Sequence, residues 1–210
     1  MRKQDEYLAT SHWYREVITD PYQIIAEFFS ADDIASYREH IETLLLAAHS
    51  NDIWNKSSPG DLLYYLKLLE SVINAAFLIN KHKKHSPLNI SERDIFNPNL
   101  YFGGHGGATE WGCFPRALSL EEYQDPYLAF RAFFKFMTLD QWKEELTEIS
   151  ECALVNMSLT EGGVEIDTLP LYIHLTKLVE AAHLIDVREI NHIGGHIKSR
   201  IKPDNHWIRH

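Results

Sequence analysis

The chain has 210 residues, of which 45% are hydrophobic and 12% aromatic, so it carries enough apolar material to form a folded core. Its 30 acidic residues outnumber 20 Lys and Arg residues, and the formal net charge is −10. This charge repels phosphate backbones and anionic lipid surfaces, so binding to nucleic acid or to a membrane is not expected.

Neither a targeting segment nor a redox framework is evident in the sequence. The N-terminal stretch MRKQDEYLATSHWYRE lacks the apolar segment of a secretory signal, and the apolar runs are too short for a membrane span. Cys113 and Cys152 do not have the spacing of a zinc site and are too few to stabilise the chain by disulfides. We therefore expect a reduced, cytoplasmic protein.

The first helix signals begin at residue 20. Asp20 followed by Pro21 is typical of an N-cap and the first helical position, and apolar side chains at helical spacing follow. Ser30 with Asp33 resembles a capping box for a second, longer helix, whose apolar residues recur with the period of an α-helix.

A third, long helix is predicted to begin at Ser58 and Pro59 and to continue through DLLYYLKLLESVINAAFLIN. The region that follows, NKHKKHSPLNISERDIFNPNL, is polar and interrupted by prolines, which is typical of a loop. Strand signals are few. Only NLYF and SLTEGGVEI could form short extended pieces.

The same order of helix signals returns later in the chain. The DPY of residues 20–22 recurs at residues 125–127, an offset of 125 − 20 = 105, and a second capping box is predicted at Thr138 and Gln141. After one inserted residue the offset is 106 through the last helix of each half. Further pairs at an offset of 105 are Phe28 with Phe133, Phe29 with Phe134, Tyr37 with Trp142, and Ala48 with Ala153. Two amphipathic helical stretches always align to some degree, but the doubled DPY and FF favour an internal duplication.

The sequence thus predicts an all-α fold in which one helical domain spans residues 1–210. An internally duplicated three-helix unit, in the order short, long, long, forms a pseudo-twofold helical bundle. Repeat one covers residues 20–80, and repeat two covers residues 125–186. A long irregular connector, residues 81–124, joins them, and a C-terminal tail follows at residues 187–210. Long connectors of this kind are often functional or act as lids.

Glutamate and histidine side chains near the end of repeat two are the main candidates for metal chemistry. Glu180 and His183 lie three residues apart, which places both on one helix face, as in di-iron bundles. Their counterparts in repeat one are Asn74 and Phe77, so a symmetric two-metal centre is not expected. The candidate ligands of one divalent transition metal are Glu180, His183, His192 and His196. The competing interpretation is that such histidines are hydrogen-bonded core residues.

The connector contains the glycine-rich stretch YFGGHGGATEWG, from which His105 and Trp111 are candidate ligand-binding residues together with His196 of the tail. The stretch lacks the lysine and the strand context of a phosphate-binding loop. Residues 193–196, IGGH, repeat the pattern FGGH of residues 102–105. Glycine pairs permit bends, so we interpret both as turns, and we hypothesise that His105 lies near His196.

No set of residues converges on a catalytic mechanism. The sequence therefore predicts a non-catalytic binding or regulatory protein without a cofactor. Its ligand, a protein or a small molecule, would lie in a groove between the repeats that the connector closes. The alternative is a metal-dependent enzyme or sensor with a mononuclear His/Glu site near the C-terminal helix and tail. A homodimer is compatible with either function.

Overall fold

The computed structural model describes the backbone of residues 16–50, 53–54, 57–81, 87–103, 109–155, 158–159, 161, 167–193 and 196–199, and it describes side chains in these ranges up to residue 191. These residues form eight α-helices, two 3-10 turns and one two-stranded hairpin. The mainly helical character confirms the predicted all-α class.

The first three helices follow the predicted order of short, long and long. Helix α1 covers Pro21–Ala31, α2 covers Ile34–His49, and α3 covers Pro59–Lys81. Asp20 caps α1 as predicted, because its side chain accepts a hydrogen bond from the backbone N–H of Tyr22 at 2.9 Å.

The capping box predicted at Ser30 and Asp33 is wrong. Helix α1 extends through Ala31, so Ser30 lies in its last turn, where its hydroxyl donates to the carbonyl oxygen of Ala26. Asp33 is itself the N-cap of α2, and its carboxylate accepts a hydrogen bond from the backbone N–H of Ser36 at 2.9 Å. The second helix therefore begins three residues later than a cap at Ser30 would allow.

The connector is less irregular than predicted. It contains 3-10 turns at Glu92–Asp94 and Pro98–Leu100, followed by two short helices, α4 at Glu110–Cys113 and α5 at Leu120–Gln124. The stretch NLYF begins in the second 3-10 turn and is not part of a strand. The other candidate extended piece, SLTEGGVEI, lies mostly outside the described residues.

We call the part of the chain before the connector the first half and the part after it the second half. The second half again contains a short helix and two long ones. Helix α6 covers Tyr127–Phe136, α7 covers Leu139–Leu154, and α8 covers Thr168–Glu189. The predicted capping box of α7 is confirmed, since Gln141 N–H donates to the Thr138 hydroxyl at 3.3 Å and Thr138 N–H donates to the Gln141 side chain at 2.9 Å.

A hairpin follows α8 in the region predicted to be the C-terminal tail. Strand β1, Ile190–Ile193, pairs antiparallel with β2, His196–Ser199. His192 is the cross-strand partner of Ile197, so His192 and His196 lie on opposite strands. The sequence did contain a signal for this hairpin, because two glycines between runs rich in isoleucine are typical of a tight β-turn.

Helix α3 is the one helix in the described part of the chain that is long and apolar enough to cross a membrane by composition, with a mean hydropathy of 1.6. The apolar runs of the sequence had been predicted to be too short for such a span. In the structure 67% of the most apolar 18-residue stretch of α3 is buried, and residues such as Leu62, Leu69 and Ile73 lie in the hydrophobic core. Core packing thus accounts for the apolar composition of α3.

Both halves contain the same side-chain hydrogen bond next to the same ring stack. The Tyr37 hydroxyl donates to the backbone carbonyl oxygen of Phe28 at 2.5 Å, and the indole N–H of Trp142 donates to that of Phe133 at 3.2 Å. The ring centroids are 3.8 Å apart in the first pair and 4.0 Å apart in the second. Each stack joins the short helix of its half to the long helix that follows.

Hydrogen bonds between the halves also come in corresponding pairs. Trp54 N–H donates to the carbonyl oxygen of Ala153 at 2.8 Å, and Leu159 N–H donates to that of Ala48 at 2.9 Å. Trp54 and Leu159 are 105 residues apart, as are Ala48 and Ala153. In each bond the donor (Trp54 or Leu159) and the acceptor (Ala153 or Ala48) occupy equivalent positions of the alignment. One bond runs from the first half to the second, and the other runs from the second half to the first.

Two tyrosines meet between the first and second halves. The hydroxyl oxygens of Tyr22 and Tyr127 are 3.4 Å apart, and the Tyr127 hydroxyl also donates to Glu189 at the end of α8. Burial raises the pKa of Tyr22 to about 12, so its hydroxyl is protonated at neutral pH and can donate a hydrogen bond. This contact links α1, α6 and α8.

We expect Tyr37→Phe to lower the free energy of unfolding by about 1 kcal/mol, because it removes a buried hydrogen bond. Tyr65→Phe is the matched control, since the Tyr65 hydroxyl is buried without a partner among the described residues. Its removal should leave stability unchanged or slightly raised. Urea unfolding measures both variants, and equal destabilisation by the two would contradict the assigned hydrogen bond.

Candidate functional site

A buried ion pair joins the first half of the protein to the second. Arg38 of α2 approaches Glu180 of α8, with 2.7 Å between Nη2 and Oε1 and 2.8 Å between Nε and Oε1. The exposed fractions of the two side chains are 8% and 0%. A charge pair so far removed from water needs further hydrogen bonds to offset its desolvation.

Those hydrogen bonds go to the backbone of the connector. The guanidinium donates to the carbonyl oxygens of Gly112 at 2.6 Å and Phe114 at 3.0 Å. The carboxylate accepts from the N–H groups of Arg116 at 2.8 Å and Ala117 at 2.9 Å. The ion pair therefore fixes the position of residues 112–117, which lie mostly outside regular helix.

Further side chains of α8 hold other parts of the connector. The Nε2 atom of His183 is 2.9 Å from the carbonyl oxygen of Tyr101. The Lys177 ammonium contacts the carboxylate of Glu122 at 2.8 Å. The Arg188 guanidinium donates to the carbonyl oxygens of Leu100 at 2.7 Å and Tyr123 at 2.6 Å. Together with Glu180, these residues form the connector-binding face of α8.

The described contacts give two of the predicted metal ligands structural roles. Both carboxylate oxygens of Glu180 accept hydrogen bonds, and His183 Nε2 is hydrogen-bonded to a carbonyl, which requires a proton on that nitrogen. Burial lowers the pKa of His183 to about 4, so the imidazole is neutral at pH 7. No group of three or more metal-ligating side chains occurs among the described residues. The side chains of His192 and His196 lie outside them, and the metal site stays a prediction.

The predicted ligand-binding residues are only partly described. His105 falls in residues 104–108, outside the described ranges, and of His196 only the backbone is described. The hypothesis that these two histidines lie close together therefore stays a prediction. Trp111 is described, and 68% of its surface is exposed on the short helix α4.

A groove lies between α2 and the N-terminal part of α8. Its volume is about 340 Å³, and it is lined by Glu42, Leu45, Leu46, His49, Thr168, Leu169 and Tyr172. Of the lining leucines, Leu45 is buried, whereas Leu46 is 62% exposed and Leu169 is 64% exposed. No described residue of the connector lines it, so the expected closure by the connector finds no support in the described ranges.

The role of Arg38 was not predicted, although the sequence holds a signal for it: Arg38 stands four residues after Ile34 and three before Ile41, on the apolar face of its helix, where a charged side chain is typical of a buried pair. The sequence also contains a signal for Glu180, the partner of Arg38. In the repeat alignment Glu180 and His183 are ionisable residues where the first half has Asn74 and Phe77. In the described residues, Glu180 and His183 are two of the positions at which α8 hydrogen-bonds to the connector. No protein-family model matches the chain, and no curated protein or solved structure is significantly similar to it.

We expect Arg38→Met to lower the free energy of unfolding by about 3–5 kcal/mol, because it leaves the buried Glu180 carboxylate without a counter-charge. Arg131→Met is the control. Arg131 also pairs with a carboxylate, Asp125, but its side chain is 45% exposed, so the loss should be below about 1 kcal/mol. Similar losses in the two variants, measured by urea unfolding, would show that the Arg38 pair is not buried as described.

His183 gives a second prediction, concerning pH. Its pKa of about 4 in the folded protein lies below the ordinary histidine value of 6.5, so the unfolded chain takes up the proton first as the pH falls. The stability contributed by neutral His183 is present above pH 6.5 and is lost as the pH falls towards 4.

His183→Gln removes this titration while keeping a donor near Tyr101. Between pH 7 and pH 5 the unmodified protein should lose about 2 kcal/mol more unfolding free energy than the variant. Urea unfolding at the two pH values measures the difference. The same pH dependence in both proteins would mean that His183 is not buried in its neutral form.

Proposed function

We propose that the protein is a non-catalytic binding or regulatory protein whose ligand site is the groove between α2 and α8. The exposed leucines of this groove, Leu46 and Leu169, carry the proposal. Large apolar side chains that line a concave surface and remain in contact with water are typical of interaction sites. The two residues come from different halves, so the groove exists only when the halves are packed together.

The proposed occupant is a basic amphipathic helix of a partner protein. Two helices form the walls of the groove, and a third helix with apolar residues at i, i+3, i+4 and i+7 can place them against the leucines. Exposed carboxylates flank the groove on both walls, Glu42 in α2 and Asp167 at the N-cap of α8. Together with the net charge of −10, they favour a cationic partner.

The proposal includes the internal duplication and its pseudo-twofold arrangement. Helices α2 and α7 begin and end 105 residues apart, and their N-caps, Asp33 and Thr138, differ by the same offset. The repeated ring stacks and the reciprocal hydrogen bonds between the halves support the same alignment. The contact between Tyr22 and Tyr127 joins two equivalent positions, as expected near a twofold axis.

The duplication supplies a reason for expecting one apolar groove rather than two. At the position equivalent to Leu46 in the second half stands Glu151, an exposed carboxylate. Leu63 is the counterpart of Leu169 and is 45% exposed. The equivalent surface between α7 and α3 thus has a charge where the proposed groove has a leucine, and the proposed ligand binds on one side only.

A labelled synthetic peptide tests this function. The probe is a helix of about five turns with leucines at i, i+3, i+4 and i+7 and lysines on its flanks, followed by fluorescence anisotropy. Leu46→Glu should weaken its binding at least tenfold, since a charge in the apolar contact costs more than about 1.4 kcal/mol. The substitution is compatible with the helix, because the equivalent position of α7 already carries Glu151.

Leu63→Glu is the matched control, a substitution of an exposed leucine near the start of the equivalent long helix. It should leave peptide binding unchanged. Three results would overturn the proposal: no binding of the peptide, equal weakening by both variants, or self-association that Leu46→Glu abolishes. The last result would assign the groove to a homodimer contact.

A further inference from the structure

Three aromatic side chains of the connector form a stack on the surface. The Phe114 ring stacks with those of Phe96 and Trp111, with centroid distances of 5.3 Å and 5.7 Å and interplanar angles of 28° and 6°. Two of the three side chains are largely exposed, Phe96 by 60% and Trp111 by 68%. We refer to these three residues as the aromatic stack.

The aromatic stack is held by buried groups. The Phe114 ring meets the buried Tyr101 edge-on at 5.0 Å, and its backbone carbonyl oxygen accepts a hydrogen bond from Arg38. Arg38 also binds the carbonyl oxygen of Gly112, next to Trp111. The Phe114 and Trp111 rings are thus presented to solvent by, or next to, the segment that the buried ion pair fixes, whereas Phe96 joins them from the preceding turn. A rigid aromatic surface loses little conformational entropy on binding, which is typical of recognition sites.

A carboxylate lies beside the aromatic stack. The Tyr101 hydroxyl is 3.5 Å from Oε1 of Glu110 and 3.4 Å from the backbone carbonyl oxygen of Phe96. Glu110 is exposed and directly precedes Trp111. The turn before Phe96, Glu92–Asp94, has two exposed carboxylates and one guanidinium. Exposed Arg116, two residues after Phe114, is a second cation, so the three carboxylates outnumber the two guanidiniums by one. This balance, with Glu110 next to Trp111, favours a cationic group in the ligand of the stack.

We propose that the aromatic stack and Glu110 form a second binding site, which takes a proline-rich segment of another protein with a basic residue beside its prolines. Prolines pack their rings on aromatic side chains, and a polyproline II segment is already extended before it binds. Glu110 pairs with the basic residue. This site shares no residue with the groove between α2 and α8, so it is independent of the function proposed above.

The spacing of the aromatic stack suits this ligand. The rings of Phe96 and Trp111 are at most about 11 Å apart, the sum of the two centroid distances, and residues on one face of a polyproline II helix repeat every 9 Å or so. The repeat of two prolines three residues apart lies within this limit, so the geometry is compatible with contact to both Phe96 and Trp111. A carbohydrate would also stack on these rings, but a neutral sugar gains no Coulombic attraction from Glu110. Nucleobases bring phosphates that the net charge of −10 disfavours.

Fluorescence anisotropy with a labelled peptide that contains two P-x-x-P units and one arginine tests the proposal on the full chain. Trp111→Ala should weaken binding at least tenfold, and Glu110→Gln should weaken it several-fold and reduce its dependence on salt concentration. Leu120→Ala is the control, because Leu120 is 51% exposed on the same connector and outside the stack. It should leave the affinity unchanged, as should Leu46→Glu.

Circular dichroism and the thermal midpoint confirm that each variant is folded, as expected for the exposed positions Trp111 and Glu110. The proposal is overturned if the peptide does not bind, if Trp111→Ala and Leu120→Ala have equal effects, or if Glu110→Gln leaves both affinity and salt dependence unchanged. Quenching of tryptophan fluorescence by cellohexaose, lost in Trp111→Ala and without peptide binding, would instead assign the stack to carbohydrate.

Discussion

The arrangement of the connector depends on one buried interaction, the ion pair between Arg38 and Glu180. Desolvating two charges is expensive, and their mutual attraction alone does not reliably offset the cost. Here both side chains also hydrogen-bond to the backbone of residues 112–117. This segment lies mostly outside regular helix, so helical hydrogen bonds do not satisfy most of its N–H and C=O groups. The ion pair and the connector therefore satisfy each other, and the loss of either leaves buried polar groups without hydrogen bonds.

This interaction also makes the two halves structurally unequal. The connector binds along one face of α8 through Lys177, Glu180, His183 and Arg188, whereas the groove with Leu46 lies towards the other end of the contact between α2 and α8. Helices α2 and α8 thus contact the connector at one end of their interface and form the apolar groove at the other end. In our two proposals the binding surfaces are separate, because the connector presents the aromatic stack and the helices form the groove.

The sequence predicted those features that depend on neighbours along the chain. The caps at Asp20 and Thr138 and the order of short and long helices follow from local hydrogen bonding and from apolar periodicity. The cap at Ser30 was mistaken because both Ser30 and Asp33 suit an N-cap, and the choice depends on where packing ends α1. Glu180 and His183 have a spacing that fits a metal site and a helix face for the connector equally well. The two interpretations are distinguished by the position of the connector, which contacts Glu180 through residues more than 60 positions earlier in the chain. No local sequence pattern encodes that position.

The central claim is that the buried ion pair orders the connector, and hydrogen–deuterium exchange tests it most directly. The backbone N–H groups of Arg116 and Ala117 donate to Glu180 from a segment without helix or strand. They should exchange as slowly as amides in the middle of α8, and they should lose this protection selectively when Glu180 is replaced by glutamine and Arg38 by methionine together. Exchange of these two amides in the unmodified protein at the rate of an unstructured peptide would contradict the account.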